Sequence, residues 1–134
     1  HPAKVRACNL SGLVLLYYQN IPSMLYAAIA LFALAAIFGL VIFKNWLTSA
    51  HTSRAVVYAH GIFAAIALVI LLIFVLRNPV NSLQISVGLF VAAALGGFYM
   101  FFRDLKGKFS PMWLAVVHAL IAVAGFGVLV FYVI

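Results

Sequence analysis

Two histidines lie inside long apolar stretches of the sequence, where an ionisable side chain is costly. His60 and His118 are separated by 58 residues. Imidazole is a common metal ligand and a carrier of protons near neutral pH, and ionisable groups inside a membrane are most often functional. These two histidines are therefore the first candidates for a metal-binding or proton-linked site.

Other side chains that support catalysis or metal binding are scarce. The sequence has one acid, Asp104, and one cysteine, Cys8, against eight Lys or Arg residues. A carboxylate pair for acid–base catalysis, a cage for Ca²⁺ or Mg²⁺ and an internal disulfide are therefore excluded. The sequence also has no nucleophile–base set, phosphate loop or zinc spacing. The sequence therefore predicts that the protein has no catalytic activity of its own.

The composition indicates that a lipid bilayer surrounds the two histidines. Hydrophobic residues make up 69% of the sequence and charged residues 7%, whereas a water-soluble domain has about 25% charged residues. Continuous apolar runs predict four transmembrane helices at 23–43, 55–76, 83–102 and 112–134, each with the roughly 20 residues that a bilayer requires. The predicted fold class is all-α, an integral membrane four-helix bundle.

The basic residues predict the orientation of this bundle. The loops 44–54 and 103–111 hold five Lys or Arg residues, and the opposite side holds three. This excess predicts that the two loops are cytoplasmic. Topology and anionic lipid headgroups also explain the net charge of +7, so we expect no nucleic-acid partner.

Residues 1–22 precede the predicted transmembrane domain, 23–134. Their apolar run, 10–18, is too short to span a bilayer and follows Lys4 and Arg6. It is interpreted either as an interfacial helix or as part of a processed terminus.

The transmembrane domain contains an internal repeat. A shift of 58 positions aligns 24–76 with 82–134 without a gap, and it pairs His60 with His118 and Gly39 with Gly97. Each copy contains two spans, so the prediction is two repeated helical hairpins related by a pseudo-two-fold axis along the membrane normal.

This symmetry brings the histidines to one depth in the membrane. Each lies five or six residues into its predicted helix, about 8 Å below the same membrane face, and Gly39 and Gly97 reach that depth from the other two helices. Two imidazoles at equal depth, with space beside them for a flat macrocycle, are what bis-imidazole ligation of haem iron requires. Arg54 and the loop 103–108 lie just outside this layer, where haem propionates would emerge.

The arrangement resembles the four-helix b-type membrane cytochromes, of the cytochrome b and cytochrome b561 kind. The residues that carry the resemblance are His60, His118, Gly39 and Gly97. It implies haem b as cofactor, with the two histidines as axial ligands, and electron transfer as the function. This sequence has one histidine on the second predicted helix and one on the fourth, so a second haem near the opposite face would have no ligands. One haem near one face implies a subunit of a larger membrane complex.

Two other interpretations of the histidines stay open. They could form hydrogen bonds between helices in a cofactor-free accessory subunit that packs against other membrane proteins or against its own copies. They could also hold another metal or carry protons, and transport of a small solute is a further hypothesis. The glycines belong to Ala-x-x-x-Gly spacings at Ala35 and Ala93, which also allow close packing of helices without a ligand.

Overall fold

A computed structural model of the chain consists of four α-helices. It describes the backbone of residues 2–134 and the side chains of residues 12–16 and 23–134. The helices are α1 (Pro2–Leu47), α2 (Arg54–Arg77), α3 (Asn81–Leu105) and α4 (Met112–Val133). Four segments are long and apolar enough to cross a membrane: Ser23–Leu47, Arg54–Arg77, Asn81–Leu105 and Met112–Val133. The four predicted spans are confirmed, with some ends extended by a few residues.

The first helix differs in extent from the predicted first span. Helix α1 is continuous from Pro2 to Leu47, so its backbone runs without a break from the segment 1–22 into the span. The placement of His1 and the side chains of 2–11 and 17–22 lie outside the described residues. The interpretation of that segment as interfacial or processed therefore stays a prediction.

Local sequence signals set the ends of α2. The Ser53 side chain accepts a hydrogen bond from the backbone N–H of Val56 and caps the first turn. At the other end, the side-chain amide of Asn78 donates to the carbonyl of Phe74. Pro79 follows, and its missing N–H and fixed φ prevent the helix from continuing.

The two short loops on the histidine side repeat one turn. The turn after α1 contains Ser49 with φ 54°, and the turn after α3 contains Gly107 with φ 66°; these residues are 58 positions apart. In both turns a backbone N–H reaches back five residues, from Ala50 to Asn45 at 2.8 Å and from Lys108 to Arg103 at 2.9 Å. The internal repeat therefore extends from the spans into the loops.

The bundle is a ring of two tight hairpins. Helix α1 packs along α2 and α3 along α4, while weaker contacts of α2 with α3 and of α1 with α4 close the ring. Helices α2 and α4 thus lie on one diagonal, and α1 and α3 on the other. Repeat-related positions form most of the buried core: Leu25 and Leu83, Ala28 and Ser86, Phe32 and Phe90, Ala35 and Ala93, Ala67 and Gly125, Leu71 and Leu129.

Large apolar side chains cover the outside of the spans. Examples are Leu40, Leu95 and Val123, each about two-thirds exposed. Lipid tails accept such a surface and water does not. The fold is therefore that of an integral membrane protein, a four-helix bundle built from two repeated hairpins.

Candidate functional site

His60 attaches α2 to α1 through a hydrogen bond to the backbone. Its Nδ1 lies 2.8 Å from the carbonyl oxygen of Ala35. That carbonyl belongs to a continuous helix, so its second lone pair accepts the imidazole proton in addition to the helical bond. The imidazole also lies against Gly39, where an added Cβ would be 3.1 Å from Cε1 and 3.2 Å from Nδ1.

His118 repeats this arrangement between α4 and α3. Its Nδ1 lies 2.8 Å from the carbonyl oxygen of Ala93, 58 residues after Ala35. An added Cβ at Gly97 would be 3.2 Å from Cε1 and 3.6 Å from Nδ1 of His118. Each hairpin therefore contains the same unit, in which one histidine bonds a carbonyl and fills the space beside a glycine.

The two imidazoles meet on the axis of the bundle. Their ring centroids are 6.1 Å apart and their planes are inclined by 69°. Each histidine lies six residues after the first residue of its helix, about 9 Å along the helix axis. The predicted pairing of His60 with His118 at equal depth is thus present in the structure.

The hydrogen bonds determine which ring nitrogen of each histidine is available. A carbonyl oxygen only accepts, so Nδ1 carries the proton in the neutral imidazole and Nε2 keeps its lone pair. Within the part of the chain that the structure describes, neither Nε2 has a hydrogen-bond partner. Ligating histidines usually donate their other N–H to a carboxylate, a backbone carbonyl or water, and both histidines here meet that condition.

Gly39 and Gly97 contact the imidazoles directly, which their equal depth in the membrane did not indicate. We expected Gly39 and Gly97 to leave space for a macrocycle, and the structure places the imidazole of the same hairpin in that space. The glycines thus let each ring approach its carbonyl. Their assignment as cofactor-binding residues stays a prediction.

A pair of stacked phenyl rings borders the histidine layer on the side away from the short loops. Phe32 and Phe90 have ring centroids 3.8 Å apart and planes inclined by 5°. They come from the diagonal helices α1 and α3, one turn before Ala35 and Ala93 on those helices. The layer is therefore bounded by aromatic rings on the side away from the short loops, and by small side chains at its own level.

The predicted cationic neighbours lie at different places on the same side of the bundle. Arg54 is exposed at the start of α2 and borders a small cleft with Tyr58 and Asp104. Arg103 instead donates hydrogen bonds to the carbonyl of Phe109 at 2.9 Å and to the hydroxyl of Tyr99 at 3.3 Å. Contacts of Arg54 with haem propionates stay a prediction.

Two buried contacts were not identified as part of the site from the sequence. Phe32 and Phe90 occupy equivalent positions in the two copies of the repeat, and this equivalence is a sequence signal for their pairing across the bundle axis. The hydroxyl of Ser86 donates to the carbonyl of Gly125 at 2.8 Å. This bond has no counterpart in the first hairpin, where Ala28 stands at the equivalent position, and no sequence signal indicated it.

The donor set limits the metal centres that this layer could form. Among the described residues, no three or more His, Cys, Asp or Glu side chains are grouped to hold an ion. A metal–imidazole bond is about 2.0–2.1 Å long, so one metal atom could lie between two rings whose centroids are 6.1 Å apart. Two neutral nitrogen donors would suit only a metal that brings its remaining ligands with it, and the imidazoles already occupy the space beside Gly39 and Gly97.

No family model matches this chain, and no curated protein or solved structure matches it either.

Proposed function

We propose that this chain is a small b-type cytochrome-like membrane subunit that holds one haem between His60 and His118 and transfers electrons within a larger membrane complex. One observation carries the proposal. The two histidines face each other across the bundle with Nδ1 bound to a backbone carbonyl on each side and Nε2 left as a lone-pair donor.

The number of ligands favours haem over a single ion. Zinc in structural sites takes four protein ligands, and open catalytic sites take three. This layer offers two neutral nitrogen donors and no anionic ligand among the described residues. Haem brings four equatorial nitrogens of its own, so two imidazoles complete its coordination. When bound, it supplies a reversible one-electron change of oxidation state.

The protein's part in this function is to orient the ligands and to exclude water. The bonds to Ala35 and Ala93 fix the tautomer and the direction of each ring, and such bonds raise the basicity of the ligating nitrogen. The phenyl rings of Phe32 and Phe90 are nearly fully buried beside the layer. An apolar environment of this kind also influences the redox potential of a bound metal.

The position of the layer supports a role as a subunit. Both histidines lie near the ends of α2 and α4 that adjoin the loops 44–54 and 103–111, which we propose to be cytoplasmic. One redox centre near one face requires a second protein or soluble carrier to pass the electron on. Exposed apolar faces on all four helices leave room for neighbouring membrane subunits or for a second copy of the chain.

A cofactor-free accessory subunit is the second candidate, and one observation favours it. The imidazoles already fill the spaces beside Gly39 and Gly97 and bond the helix backbone. In that case the histidines hold each hairpin together, and the function of the chain is to pack against partners.

Absorption spectroscopy separates these two candidates. The protein is expressed with haem available, purified in detergent, and recorded in the oxidised and dithionite-reduced states beside His60→Ala, His118→Ala and His51→Ala. The loop residue His51 is exposed and serves as the matched control. We expect a reduced b-type spectrum in the wild type and in His51→Ala, and its loss in the other two variants. A colourless wild-type protein that is folded by circular dichroism would reject the haem proposal and leave the accessory subunit.

A further inference from the structure

An open groove lies on the outer surface of the second hairpin, away from the histidine layer. It is bordered by the end of α3, the loop 106–111 and the start of α4, and its volume is about 600 Å³. These elements lie where α3 and α4 reach the membrane surface, the level at which lipid headgroups are found. The groove is lined by Gly96, Tyr99, Arg103, Phe109, Ser110 and Trp113, among others.

Arg103 gives this groove a positive charge. A guanidinium group has five N–H donors, and two of them bond to Phe109 and Tyr99. Its Nε–H and the hydroxyl of Ser110 are buried and have no partner among the described residues, so the two remaining Nη–H groups are the donors left for a ligand. The ring of Tyr99 lies 5.8 Å from the guanidinium carbon and helps to hold it in place.

The charges around the groove favour an anion. No acid lines it, because Asp104 borders the separate cleft beside Arg54. Lys106 and Lys108 follow on the adjoining loop. An arginine beside exposed aromatic side chains, with lysines nearby, matches a phosphate group at the membrane surface.

The first hairpin provides an internal comparison, since its equivalent surface lacks these features. The residue equivalent to Gly96 is Phe38, whose ring stacks on Phe63 at a centroid distance of 5.8 Å. Asn45 stands in place of Arg103 and Ala55 in place of Trp113. The open space beside Gly96 and the cation Arg103 thus occur together in the second copy of the repeat, and the equivalent positions of the first copy hold Phe38 and Asn45.

We infer that this groove binds the phosphate headgroup of an anionic phospholipid, with Arg103 as the anion-binding residue. The exposed indole of Trp113 lies at its edge, at the level where tryptophans mark the membrane interface. The site is distinct from the histidine layer and does not depend on a bound cofactor.

Fluorescence quenching in vesicles tests this inference. Trp46→Phe leaves Trp113 as the single tryptophan, since the chain has two. The protein is reconstituted in phosphatidylcholine vesicles that contain, at equal mole fraction, either phosphatidylglycerol or phosphatidylcholine brominated in its acyl chains. We expect the brominated phosphatidylglycerol to be enriched about fivefold at Trp113, the effect of one cation near an anionic lipid.

Two further variants locate the recognition. Arg103→Gln should reduce this enrichment to the level of phosphatidylcholine, and Lys108→Gln, which changes a loop cation outside the groove, should leave most of it. Equal quenching by the two brominated lipids in the Trp46→Phe protein would overturn the inference, even if Arg103→Gln does not fold. Added inorganic phosphate should lower the enrichment more than chloride at the same ionic strength, because the free ion and the lipid headgroup would present the same group to Arg103. An equal effect of the two salts would reject recognition of the phosphate.

Discussion

His60 and His118 lie on diagonally opposite helices with their ring centroids 6.1 Å apart, and each donates its Nδ1 proton to the carbonyl of the residue 25 positions earlier. This equivalence makes the two histidines one structural unit repeated twice. Each unit holds its own hairpin together, and the two rings meet where the hairpins join.

Removal of either imidazole should destabilise the protein by a similar amount. His60→Ala and His118→Ala each lose one interhelical hydrogen bond and leave a gap, which we expect to cost about 1–2 kcal/mol. Equilibrium unfolding in mixed detergent and sodium dodecyl sulfate micelles measures the loss. His51→Ala, in the exposed loop, should be unchanged, and a loss confined to one of the two intramembrane variants would contradict the repeated unit.

A methyl group at Gly39 should disturb His60 more than the same change at Gly97 disturbs His118. The two nearest atoms are 3.1 and 3.2 Å from a Cβ at Gly39, and 3.2 and 3.6 Å from one at Gly97. We expect Gly39→Ala to cost about 1–3 kcal/mol and Gly97→Ala less, because the bonded ring cannot move without weakening its bond.

Two other helical glycines serve as controls for this prediction. Gly61 and Gly88 have nothing within 4 Å of an added Cβ, so alanine there should be neutral or stabilising by up to about 1 kcal/mol. The cost of Gly39→Ala should also shrink in a His60→Ala background, which a double-mutant cycle measures. An undiminished cost would show that the methyl group clashes with something other than the imidazole.

Substitutions at the two residues with positive φ should change the stability of the protein in opposite directions. Ser49 has φ 54° and its equivalent Gly107 has φ 66°, a region that costs a residue with a Cβ about 1–2 kcal/mol. Ser49→Gly should therefore stabilise the protein and Gly107→Ala should destabilise it by a comparable amount. Thermal unfolding in detergent measures both changes, and shifts of the same sign would contradict the assignment.

Ser86 should stabilise the second hairpin through its buried hydroxyl. The residue is fully buried and donates to the carbonyl of Gly125 at 2.8 Å. Ser86→Ala should cost about 0.6 kcal/mol, with an upper value of about 1.7, as for other hydrogen bonds between membrane helices. Ser82→Ala, near the start of the same helix and only half-buried, is the control; an equal loss in both variants would argue against a specific contribution of the bond.

The architecture could be predicted from the sequence because membrane helices follow from length and hydrophobicity. The Lys44–Asn45 and Arg77–Pro79 breaks mark span ends, and the equivalence of His60 with His118 indicated two hairpins. The ends of the helices were less predictable, since α1 and α3 extend past the apolar core to Leu47 and Leu105. Polar residues continue a helix readily once it leaves the lipid.

The details of the site were less predictable, because they depend on the rotation of each helix about its axis. Depth counted along the helices placed Gly39 in the histidine layer, but it did not indicate that the imidazole of His60 would fill the space beside it. The carbonyl of Ala35 gave no signal either, since every residue has one. The groove at Arg103 could not be predicted from the sequence either. It depends on the space that Gly96, which has no side chain, leaves on the surface shared with the loop 106–111.

The coordination of bound iron tests the central proposal most directly. Electron paramagnetic resonance of the oxidised, haem-loaded protein should give a low-spin signal with one haem per chain, since two imidazoles form a strong axial field. In His60→Ala and in His118→Ala the signal should become high-spin or disappear, and added imidazole should restore it where haem is retained. A low-spin signal that survives both substitutions, or a wild-type protein that binds no haem, would contradict ligation by His60 and His118.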